Sequence, residues 1–153
     1  MQLMAANKNM RTQSLYKSKN VKLLYPELSF ELVGLCFDTH NELGGFAKEK
    51  HYADTFERKL KAAGKSYKRE LIIGITGNTA DFFVEGKIIL EFKAKRFLTI
   101  GDFTQTQRYL QATGAELGIL VNFGSKYVQA ERVVRINKTT HGRAALIRSH
   151  SQN

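Results

Sequence analysis

The period of the hydrophobic pattern changes after Gly64, and this change constrains the fold more than any other feature of the sequence. Before it, apolar residues recur at three- and four-residue steps, which predicts two amphipathic helices, from Tyr25 to Gly44-Gly45 and over about 47–63. After it, runs rich in β-branched and aromatic residues predict strands in YKRELIIGIT, ADFFVE and KIILEFKA. Tight turns predicted at Gly77-Asn78 and at Glu85-Gly86-Lys87 would join these strands into a meander.

A third helix and two further strands complete the pattern. Asp102 can cap a helix that runs to about Thr113, and the segments ELGILVNF and YVQAERVVRI predict the strands. ELGILVNF is apolar enough to lie in a sheet that is covered on both faces. The order of helix, helix, three strands, helix and two strands therefore predicts an α/β fold, a mixed sheet with helices on both of its faces.

The composition favours one folded domain without disulfides or zinc. A length of 153 residues suits a single domain, and 42% hydrophobic residues with one proline argue against a disordered chain. Cys36 is the only cysteine, which excludes an intrachain disulfide and leaves too few ligands for a cysteine-based zinc site. No apolar run approaches the roughly 20 residues of a membrane helix. We therefore expect a cytoplasmic protein that does not contact a membrane.

Basic residues outnumber acidic ones, most strongly at the two ends of the chain. Twenty-four Lys and Arg against 14 Asp and Glu give a net charge of +10, which favours polyanionic partners. We expect one domain over 25–136, preceded by a basic arm over 1–24 and followed by a basic tail over 137–153. For the arm, a disordered solubilising segment and a nucleic-acid-binding segment are equally open.

Two charges interrupt the apolar strand in KIILEFKA. Period-two geometry puts Glu91 and Lys93 on the same face of that strand. If a three-residue loop places Val84 opposite Ile88, Asp81 of the preceding strand falls directly opposite Glu91. A two-residue loop would turn Asp81 to the other face, so the convergence of two carboxylates and an amine depends on this register.

These three side chains suit the chemistry of phosphodiester hydrolysis. Two carboxylates held close together repel each other unless a divalent cation lies between them, and hard oxygen ligands suit Mg²⁺ or Mn²⁺. A lysine beside them could stabilise the charge that builds on a phosphate under attack. The alternative is a buried ion pair, Glu91 with Lys93 or Asp81 with a lysine, and the D-x9-E-x-K spacing taken alone favours that alternative.

The segment from about Tyr25 to Val134 resembles the GxxExxY proteins, a branch of the PD-(D/E)XK nuclease superfamily. The Gly-Glu-Tyr signature of that branch corresponds to Gly45, Glu49 and Tyr52, with one residue too many between Gly45 and Glu49. The resemblance rests on five segments in order: LSFELVGLCFDTHNELGG, KEKHYADTFERKLKAAGKSYKRE, ADFFVEGKIILEFKA, QRYLQATG and LGILVNFG.

The resemblance implies a restriction-endonuclease-like core with the order helix, three strands, helix and strand. It implies that Asp81 and Glu91 bind a metal ion, that Lys93 is the catalytic lysine, and that Gln105 faces the site from its helix. It also implies Glu49 as an additional metal ligand. For Gln105 the alternative is an ordinary exposed helix residue, and for Glu49 it is a role in holding the two front helices together.

We therefore expect a nuclease that depends on Mg²⁺ or Mn²⁺, acts on DNA rather than RNA and has little sequence specificity. A non-catalytic nucleic-acid-binding module or accessory subunit is the alternative, followed by a structural protein with a buried ion pair. The resemblance is also compatible with a symmetric homodimer. Six residues close to the predicted site in sequence are candidates for contact with nucleic acid: Lys48, Lys50, Tyr52, Lys95, Arg96 and Arg108. Tyr52 could instead hold the front helices together.

Overall fold

A computed structural model describes residues 23–137 of the chain. The predicted basic arm and basic tail lie almost entirely outside these residues. Three helices and five strands follow one another in the predicted order, with ends within a few residues of those expected. Their bounds are α1 Pro26–Leu43, α2 Glu49–Ala62, β1 Tyr67–Ile73, β2 Asn78–Val84, β3 Ile88–Lys93, α3 Ile100–Thr113, β4 Leu117–Asn122 and β5 Gln129–Val134.

The five strands form one mixed sheet in sequence order, β1-β2-β3-β4-β5. Only β3 and β4 are parallel, because α3 carries the chain from the end of β3 back to the start of β4. In the antiparallel β2–β3 pair, Val84 lies opposite Ile88, so Glu85, Gly86 and Lys87 form the predicted three-residue loop. The register that the site depends on is therefore confirmed.

Helices cover both faces of the sheet, as predicted. On one face α1 and α2 bury Leu32, Phe56 and Leu60 against an aromatic cluster of the sheet. On the other face α3 buries Tyr109 and Leu110 against Ile89, Leu120 and other residues of the central strands. Every residue of β4 is buried, which confirms that this strand is covered on both sides. The result is the mixed α/β arrangement of a restriction-endonuclease-like fold.

The helix ends and one turn differ in detail from the prediction. Thr99 is the N-cap of α3 and Asp102 is its third residue, where Asp102 Oδ2 accepts the Thr99 N–H at 2.7 Å. The prediction of Asp102 as the cap itself is therefore wrong. The β1–β2 turn ends at Gly77, since Asn78 already pairs with Ile73. No helix within residues 23–137 is long and apolar enough to cross a membrane.

Candidate active site

Two carboxylates face each other where β2 and β3 begin to separate. The last pair of the β2–β3 ladder is Phe82 with Leu90, and one further step of the same register sets Asp81 opposite Glu91. Asp81 Oδ2 accepts the backbone N–H of Phe92 at 2.6 Å, which fixes that carboxylate against β3. Glu91 is only 5% exposed, and its Oε2 atom has no hydrogen-bond partner among the described residues.

This arrangement makes a charged Glu91 costly. Burial, followed by the hydrogen bond and the repulsion from Asp81, raises the pKa of Glu91 to about 10. Lys93 acts in the opposite direction, but neither carboxylate forms an ion pair with a lysine or arginine of residues 23–137. The alternative of a buried ion pair therefore has no support from the geometry. A pair of this kind is stabilised by a proton or by a cation held between the oxygens.

Lys93 extends from the same face of β3 and reaches α3. Its Nζ atom donates to Gln105 Oε1 at 2.9 Å, so the helix glutamine orients the amine, and both side chains are half-buried. The two line a cleft of about 610 Å³ between α3 and the β1–β2 turn. Gln105 is thus beside Lys93 and is not an ordinary exposed helix residue.

Tyr109 belongs to this site, although the sequence reasoning did not select it. It lies one helical turn after Gln105 and lines the same cleft. Burial first, and then the charges of Glu91 and Asp81, raise the pKa of Tyr109. The spacing of four residues from Gln105 on one helix face is the signal that could have identified it.

Glu49 is the first residue of α2 and is exposed. Its charge contributes to the raised pKa of Glu91, after burial and the effects of Asp81. However, no group of three or more His, Cys, Asp or Glu side chains within residues 23–137 is arranged to hold a metal ion. The carboxylates that already lie opposite each other are therefore those of Asp81 and Glu91, and Glu49 is not part of this pair.

Tyr52 is buried, which favours a structural role over the predicted contact with nucleic acid. Its side chain is fully buried and stacks on Phe123, with ring centroids 4.4 Å apart. Its hydroxyl donates to the carbonyl of Gly44 and accepts the N–H of Ala47 at 3.3 Å. Tyr52 therefore holds the loop between α1 and α2, which is the structural alternative considered for this residue.

The basic candidates divide into exposed and paired residues. Lys48, Lys50, Arg96 and Arg108 are exposed, and Arg108 also lines the cleft. Lys95 Nζ lies 2.5 Å from Asp102 Oδ2, so its charge is already paired with α3.

Asn122 and Gly124 fix the chain just beyond β3, a role that the sequence reasoning did not assign. Asn122 Oδ1 accepts the N–H of Lys95 and of Gly124, each at 3.1 Å, and Asn122 Nδ2 donates to the Lys95 carbonyl at 2.8 Å. A Cβ atom at position 124 would lie 2.3 Å from Lys95 N, so only glycine fits. The Asn-Phe-Gly segment after an apolar strand was the available signal.

Comparison with known protein families assigns the chain. The model of the PD-(D/E)XK nuclease superfamily matches residues 26–136, which run from the first residue of α1 to just beyond β5. The chain therefore belongs to the PD-(D/E)XK nuclease superfamily. No match was found among curated proteins.

Two solved structures are similar to this chain. One is an alkaline exonuclease (LHK-Exo) from Laribacter hongkongensis, with 13% identity, a TM-score of 0.43, and coverage of 61% of this chain and 59% of that chain. The other is SSO0001, with 25% identity, a TM-score of 0.41, and coverage of 66% of this chain and 57% of that chain. The chain spans less than two thirds of the length of either protein.

Proposed function

We propose that this protein is a divalent-metal-dependent nuclease that hydrolyses phosphodiester bonds in DNA with little sequence specificity. The observation that carries the proposal is the buried carboxylate of Glu91, which faces Asp81 and leaves Oε2 without a hydrogen-bond partner among residues 23–137. Membership of the PD-(D/E)XK nuclease superfamily supports the same activity. Mg²⁺ is the ion that we expect, with Mn²⁺ as its substitute.

The donor set fits a hard divalent cation. Asp81 and Glu91 offer carboxylate oxygens from adjacent strands. Burial first, and then the neighbouring Asp81, raise the pKa of Glu91, and a cation between the oxygens would offset both effects. Asp81 and Glu91 would hold the ion, with Glu49 as a further candidate. When bound, such an ion supplies Lewis-acid stabilisation of the phosphate and a more acidic water.

The other side chains of the site orient the reacting groups. Lys93 presents its amine at the cleft, where it can stabilise negative charge on the phosphate under attack. Gln105 holds that amine through a hydrogen bond of 2.9 Å, which limits the positions Lys93 can adopt. Tyr109 lines the same cleft, one helical turn after Gln105.

The exposed bases support a substrate that is bound through its phosphates. Lys48, Lys50, Arg96 and Arg108 carry charge without side chains committed to ion pairs within residues 23–137. Contacts of this type position a nucleic acid but do not select its sequence. We accordingly expect binding to weaken steeply as salt rises and to vary little among unrelated DNA sequences.

We also assign the chain to the GxxExxY branch of the superfamily. The structure explains why two positions of the signature require their residue types. Tyr52 holds the loop after α1, and a Cβ at Gly45 would lie 2.9 Å from the Ser125 carbonyl oxygen. The third, Glu49, starts α2 and acts electrostatically on Glu91. The signature would thus shape the loop that brings α2 to the site.

Isosteric substitution of the carboxylates tests the proposed function. Asp81→Asn and Glu91→Gln should each abolish DNA cleavage in Mg²⁺, because each removes a charged oxygen ligand while keeping the shape of the side chain. Glu116→Gln, an exposed carboxylate beyond α3, is the matched control and should cut like the parent. Gel assays on labelled DNA with Mg²⁺, Mn²⁺ or chelator provide the measurement. A parent that cuts equally well in chelator, or variants that retain full activity, would contradict the proposal.

A further inference from the structure

Three aromatic side chains are exposed on three loops that lie near the predicted active site. Phe46 is fully exposed on the loop after α1, Phe97 is 68% exposed on the loop after β3, and Tyr127 is 73% exposed on the loop after β4. We call these three residues the aromatic rim. Burial would stabilise each of them, so their exposure in one region indicates a surface that binds a partner.

Packing between the loops holds the rim together. His40 Nε2 lies 2.9 Å from the carbonyl oxygen of Ser125, and Gly45 packs against the same backbone group, which joins the loop after α1 to the loop after β4. The loop after β4 is joined in turn to the loop after β3, through the contact of Gly124 with Lys95 and the hydrogen bonds of Asn122. The three loops therefore form one continuous surface.

This surface adjoins the proposed active site. Parallel strands β3 and β4 both end at it, and Phe97 follows Lys93 by four residues. Phe46 lies on the loop that leads into α2, three residues before the first residue of that helix, Glu49. A chain bound along the rim would thus reach the carboxylate pair.

The charge of the rim indicates the kind of partner. Residues 44–48, 94–99 and 123–128 contain four basic residues and no acidic one, and of these four only Lys95 is paired within residues 23–137, with Asp102 of α3. The guanidinium carbon of Arg96 lies 5.4 Å from the centre of the Phe97 ring, and Lys126 Nζ lies 5.4 Å from that of Tyr127. A cavity of about 390 Å³ lies between Phe46 and Lys126. Aromatic and cationic groups therefore alternate along the surface.

The outer face of α1 provides a contrast within the same protein. Phe30 and Phe37 are also exposed there, but α1 contains four acidic residues and neither lysine nor arginine. Glu31 and Glu42 of α1 are paired with Lys65 and Arg58. Positive charge near that helix is therefore already neutralised, whereas the rim has basic residues that would attract a polyanion. Of these two surfaces, only the rim combines exposed aromatic residues with positive charge.

We propose that the aromatic rim binds single-stranded DNA by stacking its bases, and that it delivers an unpaired strand to the active site. A duplex hides the faces of its bases, so only an unpaired strand can use the aromatic rings while its phosphates meet Arg96 and Lys126. This inference rests on the proposed nuclease function and adds the form of the substrate to it.

Binding in chelator tests the rim without cleavage. Fluorescence anisotropy on the full chain would compare a labelled single strand of thymidines with a blunt duplex. The parent should bind the single strand more tightly. The triple variant Phe46→Ala, Phe97→Ala, Tyr127→Ala should lose about tenfold or more of its affinity for the single strand and less than about threefold for the duplex. Phe30→Ala, the matched control on α1, should bind both like the parent.

Each other result has a defined meaning. Three results would contradict the proposal that the rim binds single-stranded DNA. The parent could bind both DNAs with equal affinity, or the triple variant could lose the same affinity for both DNAs or lose none. Because the three residues are exposed, the variants should melt like the parent, and the single substitutions Phe46→Ala and Phe97→Ala should each show part of the loss. If the parent cuts DNA with Mg²⁺ but its binding does not change in the triple variant, only the proposed role of the rim is refuted. If binding depends on the rim but the parent never cuts DNA, only the nuclease function is refuted.

Discussion

The two faces of β3 differ in chemistry although they belong to the same six residues. On one face Phe92 packs edge-on against Phe56 and Phe123, with ring centroids 5.0 and 4.9 Å away. On the other face Glu91 and Lys93 point toward α3, and Glu91 is buried with an oxygen that lacks a partner among the described residues. One face therefore stabilises the fold, and the other holds titratable groups in a costly environment at the proposed active site.

The largest expected effect is on the apolar face. Phe92→Ala should lower the free energy of unfolding by about 3 to 5 kcal/mol, because a buried ring is lost and leaves a cavity. Glu91→Gln should leave that free energy nearly unchanged, because the raised pKa keeps Glu91 protonated at neutral pH and glutamine is a neutral side chain of the same shape. Urea unfolding of both variants measures this difference. A loss in Glu91→Gln as large as that in Phe92→Ala would mean that both faces serve stability.

An intermediate effect is expected for the amine of the charged face. Lys93→Met keeps the length of the side chain but removes its charge, and should slow DNA cleavage about a hundredfold while leaving the melting temperature nearly unchanged. Gln105→Leu should slow cleavage less, because the amine remains but loses the hydrogen bond that orients it. Lys61→Met, an exposed lysine of α2, is the control. Steady-state cleavage rates at saturating Mg²⁺ measure these changes, and a Lys93→Met rate equal to that of the parent would exclude a catalytic role for Lys93.

The smallest effect concerns the loop that joins the charged face to α3. Burial opposes the charge on Asp102, but Lys95 and the hydrogen bonds to Thr99 together hold its pKa below the ordinary value. Its charged form therefore stabilises the fold above the unfolded pKa, near 4, and this contribution is lost as the pH falls through the folded pKa.

Asp102→Asn should accordingly cost about 1 kcal/mol at neutral pH, the scale of the side-chain interactions at a helix N-terminus, here the capping box of Thr99 and Asp102. The difference between parent and variant should shrink below about pH 4, where Asp102 becomes protonated in the parent. Thermal melting from pH 7 to pH 3 measures it. A difference that stays constant over this range would show that the charge of Asp102 does not contribute.

The sequence predicted the charged face well because local rules determine it. The turn residues at 85–87 set the length of the β2–β3 loop, and that length brought Asp81 opposite Glu91. The sequence was less informative where packing between distant segments determines whether a side chain is buried. Tyr52 is buried because Phe123, 71 residues later, stacks on it, and no local pattern reveals that pair. Tyr109 and Asn122 had local signals, the spacing of four residues from Gln105 and the Asn-Phe-Gly segment, but their partners belong to other segments that meet only in the folded chain.

The most direct test of a cation site between Asp81 and Glu91 is the melting temperature of the protein as a function of Mn²⁺ concentration. An ion that binds only the folded state at a hundred times its Kd adds about 2.7 kcal/mol of stability, which corresponds to a rise of roughly 5 to 10 °C for a protein of this size. The parent should show this rise, and Asp81→Asn and Glu91→Gln should show little or none. A parent whose melting temperature does not respond to Mn²⁺, or variants that respond as strongly as the parent, would contradict the site.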